Sequence, residues 1–276
     1  MIIVKLMGGM GNQMFQYSFG RSLSVKFKMP LKLDLSFLKN RNMGPNFVYR
    51  DYDLDIYNIL EDFNFTNDDV MIIGEQSLTY DQKIVDSVYE NFGKKIMIDG
   101  YWATYKYFLE YDNQIRKDFE FKDKVENSTD DKIIEMYNNI VNNNSIMINV
   151  RRTDFLNTNF HGVMGVEYIN KAVDIIKSKV DNPHYFIFSD DIDWCKENIK
   201  LDNMTIVDHY YKGNKFGYYL QLMKVCKHFI IPNSTFAWWA AWLNENDNKI
   251  VIAPKKWLTD ENINTSDLIP NNWLRI

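Results

Sequence analysis

Apolar residues follow two alternating rhythms from residue 128 onward. Val166, Ile169, Val173, Ile176 and Val180 step by three and four, which is the spacing of one helical face. Short apolar runs lie on either side of such stripes: "SIMINV" (145–150), "YFIF" (185–188), "MTIV" (204–207), "HFII" (228–231) and "KIVIA" (249–253). Each predicts a strand. Further helices are predicted over 216–226 and 235–246. Another has Ile133, Tyr137, Ile140 and Val141 as its apolar face, and Ser128 with Asp131 three residues on predicts its capping box. Helices alternating with strands predict a parallel sheet wound by crossovers, so this half reads as Rossmann-like.

The N-terminal half opens in the same way. "IIVKL" (2–6) predicts a strand, "MGGMGN" (7–12) a glycine turn, and Phe15, Phe19, Leu23 and Phe27 step by four along a following helix. "LKLDL" (31–35) predicts a second strand. "VMIIG" (70–74) and "KIMIDGYW" (95–102) are strand-like, in an order the pattern does not give. The polar stretch "KDKVENSTDD" (122–131) marks a junction, which predicts an N-terminal α/β domain over 1–125 and a C-terminal Rossmann-like domain over 126–276.

Composition narrows the function. With 46% apolar and 25% charged residues, the 276-residue chain has enough material for packed cores. Its formal net charge of −5 argues against a nucleic-acid partner, which would call for a broad basic footprint. Cys195 and Cys226 have no CxxC or zinc-like spacing and read as reduced core thiols of a cytoplasmic protein. The most apolar run, "FAWWAAWL" (236–243), is far shorter than the ~20 residues of a membrane span. At most peripheral membrane contact is expected.

Ligands of open parallel sheets bind outside the carboxyl ends of the strands. Here those ends run into "RRTD" (151–154), "SDD" (189–191), "DHYY" (208–211), "PNSTF" (232–236) and "PKKW" (254–257), a rim suited to a polar anion. Arg151 and Arg152 carry the permanently charged fork that matches a diphosphate. On extended backbone they point to opposite sides, so one can reach a ligand while its neighbour braces the loop. The plainer alternative is an ion pair with Asp154. Asn233, Ser234 and Thr235 stand where a helix begins, and offer hydroxyls and amides to a phosphate or simply cap the helix.

Gly8, Gly9 and Gly11 suggest close backbone approach to phosphates. They also mimic a dinucleotide fingerprint, with Asp34 as the ribose carboxylate, although Met14 holds the place of the third glycine. That NAD(P) reading leaves the arginine pair and "NSTF" without a role. "DID" (191–193) looks like a metal-binding DxD, whose place the arginines would take. Trp238, Trp239 and Trp242 have the spacing of core packing, whereas Tyr101 and Trp102 beside Gly100 are candidates for acceptor contact. Asp154, His161 and Glu167 are candidate catalytic bases, with Asp34 a further carboxylate. His184 and His228 look like strand-edge residues.

Five stretches, in order from residue 8 to 243, carry a resemblance: "GGMGNQMFQYSFGRSL", "NVRRTDF", "FHGVMGVEYINKAV", "FSDD" and "NSTFAWWAAWL". Together they resemble the bacterial α-1,2-fucosyltransferases of glycosyltransferase family 11. The resemblance implies a GT-B type α/β fold, with two Rossmann-like domains facing a central cleft. It also implies GDP-fucose as donor, inversion at the anomeric carbon, and no required metal or other cofactor. The acceptor it implies is a glycan, lipid-linked or not, at a galactose 2-hydroxyl in an O-antigen or related chain, met in the cytoplasm or at the inner face of the membrane.

Carried over by position, Arg151 resembles the arginine that holds the β-phosphate, and Arg152 a second donor-site arginine. Gly9, Gly11 and Asn12 match the loop against the diphosphate, Asp190 an acidic position facing the nucleotide, and Ser234 and Thr235 phosphate-side hydroxyls. Two positions depart from the pattern. Asn149 stands where the family usually has a histidine associated with guanine contact, and Thr153 where glycine is frequent. The motifs read nucleotide and phosphates rather than the 6-methyl group of fucose. A GDP-mannose transferase and a non-catalytic sugar-nucleotide-binding module therefore remain alternatives.

Overall fold

The computed structural model describes residues 1–44, 47–157, 160 and 162–276. They divide into two α/β units, Met1–Lys122 with Asn262–Pro270, and Asp123–Glu261 with Asn271–Ile276. The division is thus more than one cut after residue 125, because a late segment returns to the first unit. Asp267 anchors that return: its carboxylate accepts from Tyr80 N (3.0 Å) and pairs with Lys106 (2.6 Å), and its carbonyl accepts from Thr104 Oγ1 (2.9 Å). Leu268 and Ile269 bury beside it.

The first unit contains β1 (Ile2–Lys5), α1 (Met10–Phe27), β2 (Leu31–Asp34), α2 (Ser36–Lys39), β3 (Val70–Gly74), α3 (Gln82–Glu90), β4 (Lys95–Asp99) and α4 (Asp112–Asp118). Its four strands are parallel in the order β2-β1-β4-β3, the order the sequence pattern left open. Helix α1 is buried on nearly every side as far as Ser24. Gly20 lets it press onto the sheet, since a Cβ there would come within 2.1 Å of the Val4 side chain. Two buried polar side chains, Gln13 and Gln16, lie in its first turns.

The second unit contains α5 (Asp131–Asn142), β5 (Asn144–Val150), α6 (Val166–Lys177), β6 (Pro183–Ser189), α7 (Ile192–Asn198), β7 (Met204–Val207), α8 (Gly217–Lys224), β8 (His228–Ile230), α9 (Thr235–Leu243), β9 (Val251–Ala253) and β10 (Leu274–Arg275). All pairings are parallel, in the order β10-β9-β8-β5-β6-β7. The central strand β5 is apolar on both faces because it is covered on both, and Ile148 sits in register with Ile187 on one side and Ile230 on the other.

Local details correct the sequence expectations. Asp130, not Ser128, caps α5: its carboxylate accepts from Lys132 N at 2.9 Å, while the Ser128 hydroxyl accepts from Asp130 N. Met136 joins Ile133 and Ile140 on the buried face, and Val141 is exposed. Helix α9 ends at Leu243 rather than 246. There the Asn244 backbone turns extended and its amide donates to Lys224 O and Cys226 O. Trp238, Trp239 and Trp242 are buried, with Trp273 against Trp238. Cys195 and Cys226 are buried free thiols, and burial pushes Cys195 up to about 11. Among the described residues no helix is long and apolar enough to cross a membrane.

In the first sheet β1 feeds β2 on one side, and no later strand of that sheet follows β4. In the second sheet the connections change direction between β5, which feeds β6, and β8, which feeds β9. At such points the loops leaving two adjacent strands diverge and open a crevice at the carboxyl edge.

Candidate active site

Arg151 and Arg152 leave the end of β5, beside the second unit's switch point. Asp190, one residue past β6, organises them. One of its oxygens accepts from Arg152 N (2.9 Å), and the other accepts from Thr153 N (3.2 Å) and Thr153 Oγ1 (2.6 Å). Arg151 Nη1 lies 3.0 Å from that carboxylate, and its Nη2 donates to Asp154 at 2.7 Å. The guanidinium carbon of Arg151 is 5.5 Å from the Phe155 ring centre. Asp190 thus braces the arginine loop from within the chain, where the sequence reading had it face the nucleotide.

Arg152 diverges from its neighbour. Its Nε donates to Asp191 at 3.1 Å, and the guanidinium lies 4.0 Å over the Trp194 ring. Asp191 is also the N-cap of α7, accepting from Trp194 N. The first aspartate of "DID" is therefore a cap and an arginine partner, while Asp193 stands in solvent paired with Lys196. Asn149, on β5, donates its side-chain amide to Phe188 O at 3.2 Å.

Across the switch point, α9 begins at Ser234. This residue is buried and extended, and its side chain makes no capping hydrogen bond. The first turn of α9, opened by Thr235, carries no acidic residue. The start of a helix carries the positive end of the helix dipole. The Asn233 amide holds the turn by donating to Trp257 O (3.0 Å) and Gly162 O (3.3 Å).

Glu167 is not gathered into this group. It is the second residue of α6, with a side chain 84% exposed, and its Lys171 partner holds its carboxyl below the usual range. His161 lies outside the described residues.

In the first unit the glycine turn leaves the carboxyl end of β1 and opens α1. Gly8 has φ +72°, and a Cβ there would lie 2.6 Å from Asn12 Nδ2, so only glycine fits. Gly9 is the N-cap of α1, again with no side-chain cap and no acid in the first turn. Gly11 and Asn12 lie one step further on, already inside α1. Sequence reasoning missed the residue that fastens this turn. The buried Gln13 amide donates to Gly8 O (2.9 Å) and Asp51 O (2.8 Å), and its carbonyl accepts from Asp53 N (2.9 Å). Gln16 likewise accepts from Met7 N. The available signal was two glutamines flanking the apolar pair in "QMFQ" (13–16).

Two other candidates change character. Asp34 accepts from Ser36 N (2.9 Å) and Ser36 Oγ (2.8 Å), so its carboxylate starts α2 rather than waiting for a ribose. Trp102 is 1% exposed and packs on Phe19 and Tyr107, which makes it core rather than an acceptor platform. Tyr101 remains 41% exposed. Glu75, whose pKa burial raises, clamps this corner by accepting from Tyr101 N and Trp102 N, each at 2.8 Å.

Comparison with known proteins gives the family. The whole chain, residues 1–276, matches the family described as glycosyl transferase family 11, and the protein belongs to it. It is 32% identical to an alpha-1,2-colitosyltransferase of Escherichia coli, over 100% of this chain and 98% of that one. It is 26% identical to galactoside alpha-(1,2)-fucosyltransferase 1 of Rattus norvegicus, over 55% of this chain and 43% of the relative. Among solved structures, fucosyltransferase NodZ from Bradyrhizobium superposes with a TM-score of 0.52 at 12% identity, covering 87% of this chain and 90% of that one. At that identity the likeness bears on the fold, which is of the GT-B type.

Proposed function

We propose that this family 11 glycosyltransferase moves L-fucose from GDP-β-L-fucose, with inversion, to the 2-hydroxyl of a galactose in an O-antigen or related glycan. One observation carries the reading: a braced guanidinium, Arg151, and the acid-free N-terminus of α9 leave the adjacent strands β5 and β8 at a switch point. When the bond from the anomeric carbon to GDP breaks, negative charge grows on the departing phosphate oxygen. Donors already oriented toward that charge lower the barrier without reorganising. Arg151 and the α9 amides are such donors, with Ser234 and Thr235 beside them.

No step is assigned to a metal or other cofactor, because Asp191 already serves α7 and Arg152. Asp154 is assigned to orienting Arg151 rather than to removing the acceptor proton. Gly9 and the start of α1 supply a second amide-rich, acid-free element, in the first unit. The exposed Tyr101 is the acceptor-contact candidate that remains in that unit. The acceptor is proposed to be met in the cytoplasm, with peripheral membrane contact where it is lipid-linked.

The test is to incubate the protein with GDP-fucose and a panel of galactosides, with and without excess chelator, and to map the product linkage. An α-1,2-fucosylated galactoside, formed equally well with chelator, supports the reading. A strict requirement for manganese or magnesium would overturn the metal-free assignment, and binding of NADH in preference to GDP would overturn the donor. GDP-mannose, run in parallel, tests the alternative hexose. A second reading, transfer of colitose, draws support from the full-length likeness to the colitosyltransferase. Comparing kcat/KM for GDP-colitose and GDP-fucose separates the two.

A further inference from the structure

Strands β1 and β2 run side by side with Lys5 opposite Asp34, and Leu6 N donates to Asp34 O at 3.0 Å. Their carboxyl ends therefore open together, β1 into the glycine turn and β2 into α2, which the Asp34 carboxylate starts. A pocket of about 210 Å³ lies here. Gly8 forms one wall, Phe37 and Leu38 of α2 another, and the chain at Phe47, Val48 and Tyr49 a third. The rings fix one another, since Phe47 lies 6.1 Å from Phe37 and 5.2 Å from Tyr49, edge-on to both. The polar end of Tyr49 is engaged by its own loop: the hydroxyl donates to Arg41 O (2.8 Å) and accepts from Met43 N (3.0 Å). Phe37, Leu38, Phe47 and Val48 have no polar side-chain atom. Arg50 also lines the pocket and reaches the glycine turn, its Nε 4.0 Å from where a Cβ on Gly9 would stand.

Hydrocarbon walls favour a hydrocarbon group, because a hydroxyl placed among them gives up water without gaining a partner. A pocket that shares Gly8 with a diphosphate-binding turn is in reach of the sugar that the diphosphate carries. In a hexopyranosyl diphosphate only C5 and the ring oxygen separate C6 from the anomeric carbon, so C6 hangs close to the β-phosphate. Fucose has hydroxyls at C2, C3 and C4 and a methyl at C6. Colitose has the same methyl, whereas mannose has a hydroxymethyl there.

We propose that this pocket takes the 6-methyl group of the donor sugar, and that Phe47 and Val48 are specificity-determining residues that select a 6-deoxyhexose. The assignment rests on the sugar-nucleotide donor proposed above, with its diphosphate against the glycine turn.

The test is calorimetric titration of GDP, GDP-β-L-fucose and GDP-β-L-galactose, which is GDP-fucose with a 6-hydroxyl, into the wild type, Phe47→Ser, Phe47→Leu and Val48→Thr. The wild type is expected to prefer the fucose compound by about 10²-fold, the discrimination an apolar pocket gives against one added hydroxyl. Phe47→Ser and Val48→Thr should shrink that preference by about 10-fold or more, and Phe47→Leu should keep it. Affinity for GDP should be the same in all four proteins, and thermal melts should agree because Phe47 and Val48 are exposed. A wild type that binds both sugar nucleotides equally, or a preference unchanged in Phe47→Ser and Val48→Thr, overturns the pocket while GDP binding leaves the donor reading standing. Loss of GDP affinity together with an unchanged preference also overturns it, because the loop would then serve only the turn. A wild type that binds none of the three overturns the donor reading, and the pocket with it.

Discussion

The arginine loop after β5 and the glycine turn after β1 offer a bound anion different things. In the second unit the positive charge sits on side chains, Arg151 and Arg152, and is held by three carboxylates, Asp154, Asp190 and Asp191. In the first unit it sits on backbone amides at Gly9, and the scaffold is the neutral Gln13 amide. A long flexible cation needs counter-charges to fix its direction, at some cost in net field. Backbone donors are already fixed and need only a turn that cannot move. Orientation, more than total charge, is what both arrangements secure.

The largest effect should come from removing the directed cation. Arg151→Ala is expected to lower fucosyl transfer by at least about 10²- to 10³-fold with no loss of folding, read as product formed per enzyme alongside a thermal melt. Arg152→Ala should instead lower the melting temperature, because its guanidinium packs on Trp194. Similar rate losses with intact folding in both variants would erase the distinction between ligand and brace.

Asp190→Ala separates orientation from charge by sign. Removing a carboxylate makes the loop more positive, so a site governed by net field would bind GDP more tightly. With orientation in control, GDP affinity falls. The variant should also lose about 1–3 kcal/mol in urea unfolding, since the Arg152 and Thr153 amides lose their acceptor.

At the glycine turn, neighbouring positions should respond differently. Gly9→Ala has room, with no heavy atom outside the turn closer than the Arg50 side chain at 4.0 Å, so stability should shift by no more than about 1 kcal/mol. If the turn lies against the diphosphate, the KM for GDP-sugar rises all the same. Gly8→Ala forces a left-handed alanine against Asn12 and should reduce stability as well. A Gly9→Ala enzyme with unchanged KM would confine diphosphate binding to the second unit.

The smallest effect is a pH dependence away from both the arginine loop and the glycine turn. His228 Nδ1 accepts from Ile250 N at 3.0 Å, and burial, with Lys227 beside it, lowers the pKa of His228 from its ordinary 6.5. The unfolded chain then takes up the proton first, so stability is full above pH 6.5 and declines as pH falls through the interval down to the folded pKa. Thermal melts from pH 8 to 5 should show this decline, and His228→Gln should flatten it.

Much of the framework could be read from residue spacing. The runs at 204–207 and 70–74 coincide with β7 and β3, and α6 follows the stripe from Val166. Elements without enough pattern escaped. β10 has two residues and no period to detect. Spacing pointed to Ser128 as the cap of α5, whereas the structure gives that place to Asp130 two residues on, a residue type equally suited to it. Tyr101 and Trp102 looked equivalent beside Gly100 until the left-handed backbone at Trp102 turned that ring into the core.

The sequence alone determined the parallel α/β plan, the glycine turn, the arginine pair and the family, because each is written in local composition or in ordered motifs. Tertiary structure alone decided which carboxylate faces which guanidinium. Asp190 and Arg152 are 38 residues apart and meet only because β5 and β6 are paired side by side. It likewise made Gln13 a clamp and Asp191 a cap. Hydrogen bonds depend on distances of a few tenths of an ångström, and periodicity along the chain carries no record of which strands become neighbours.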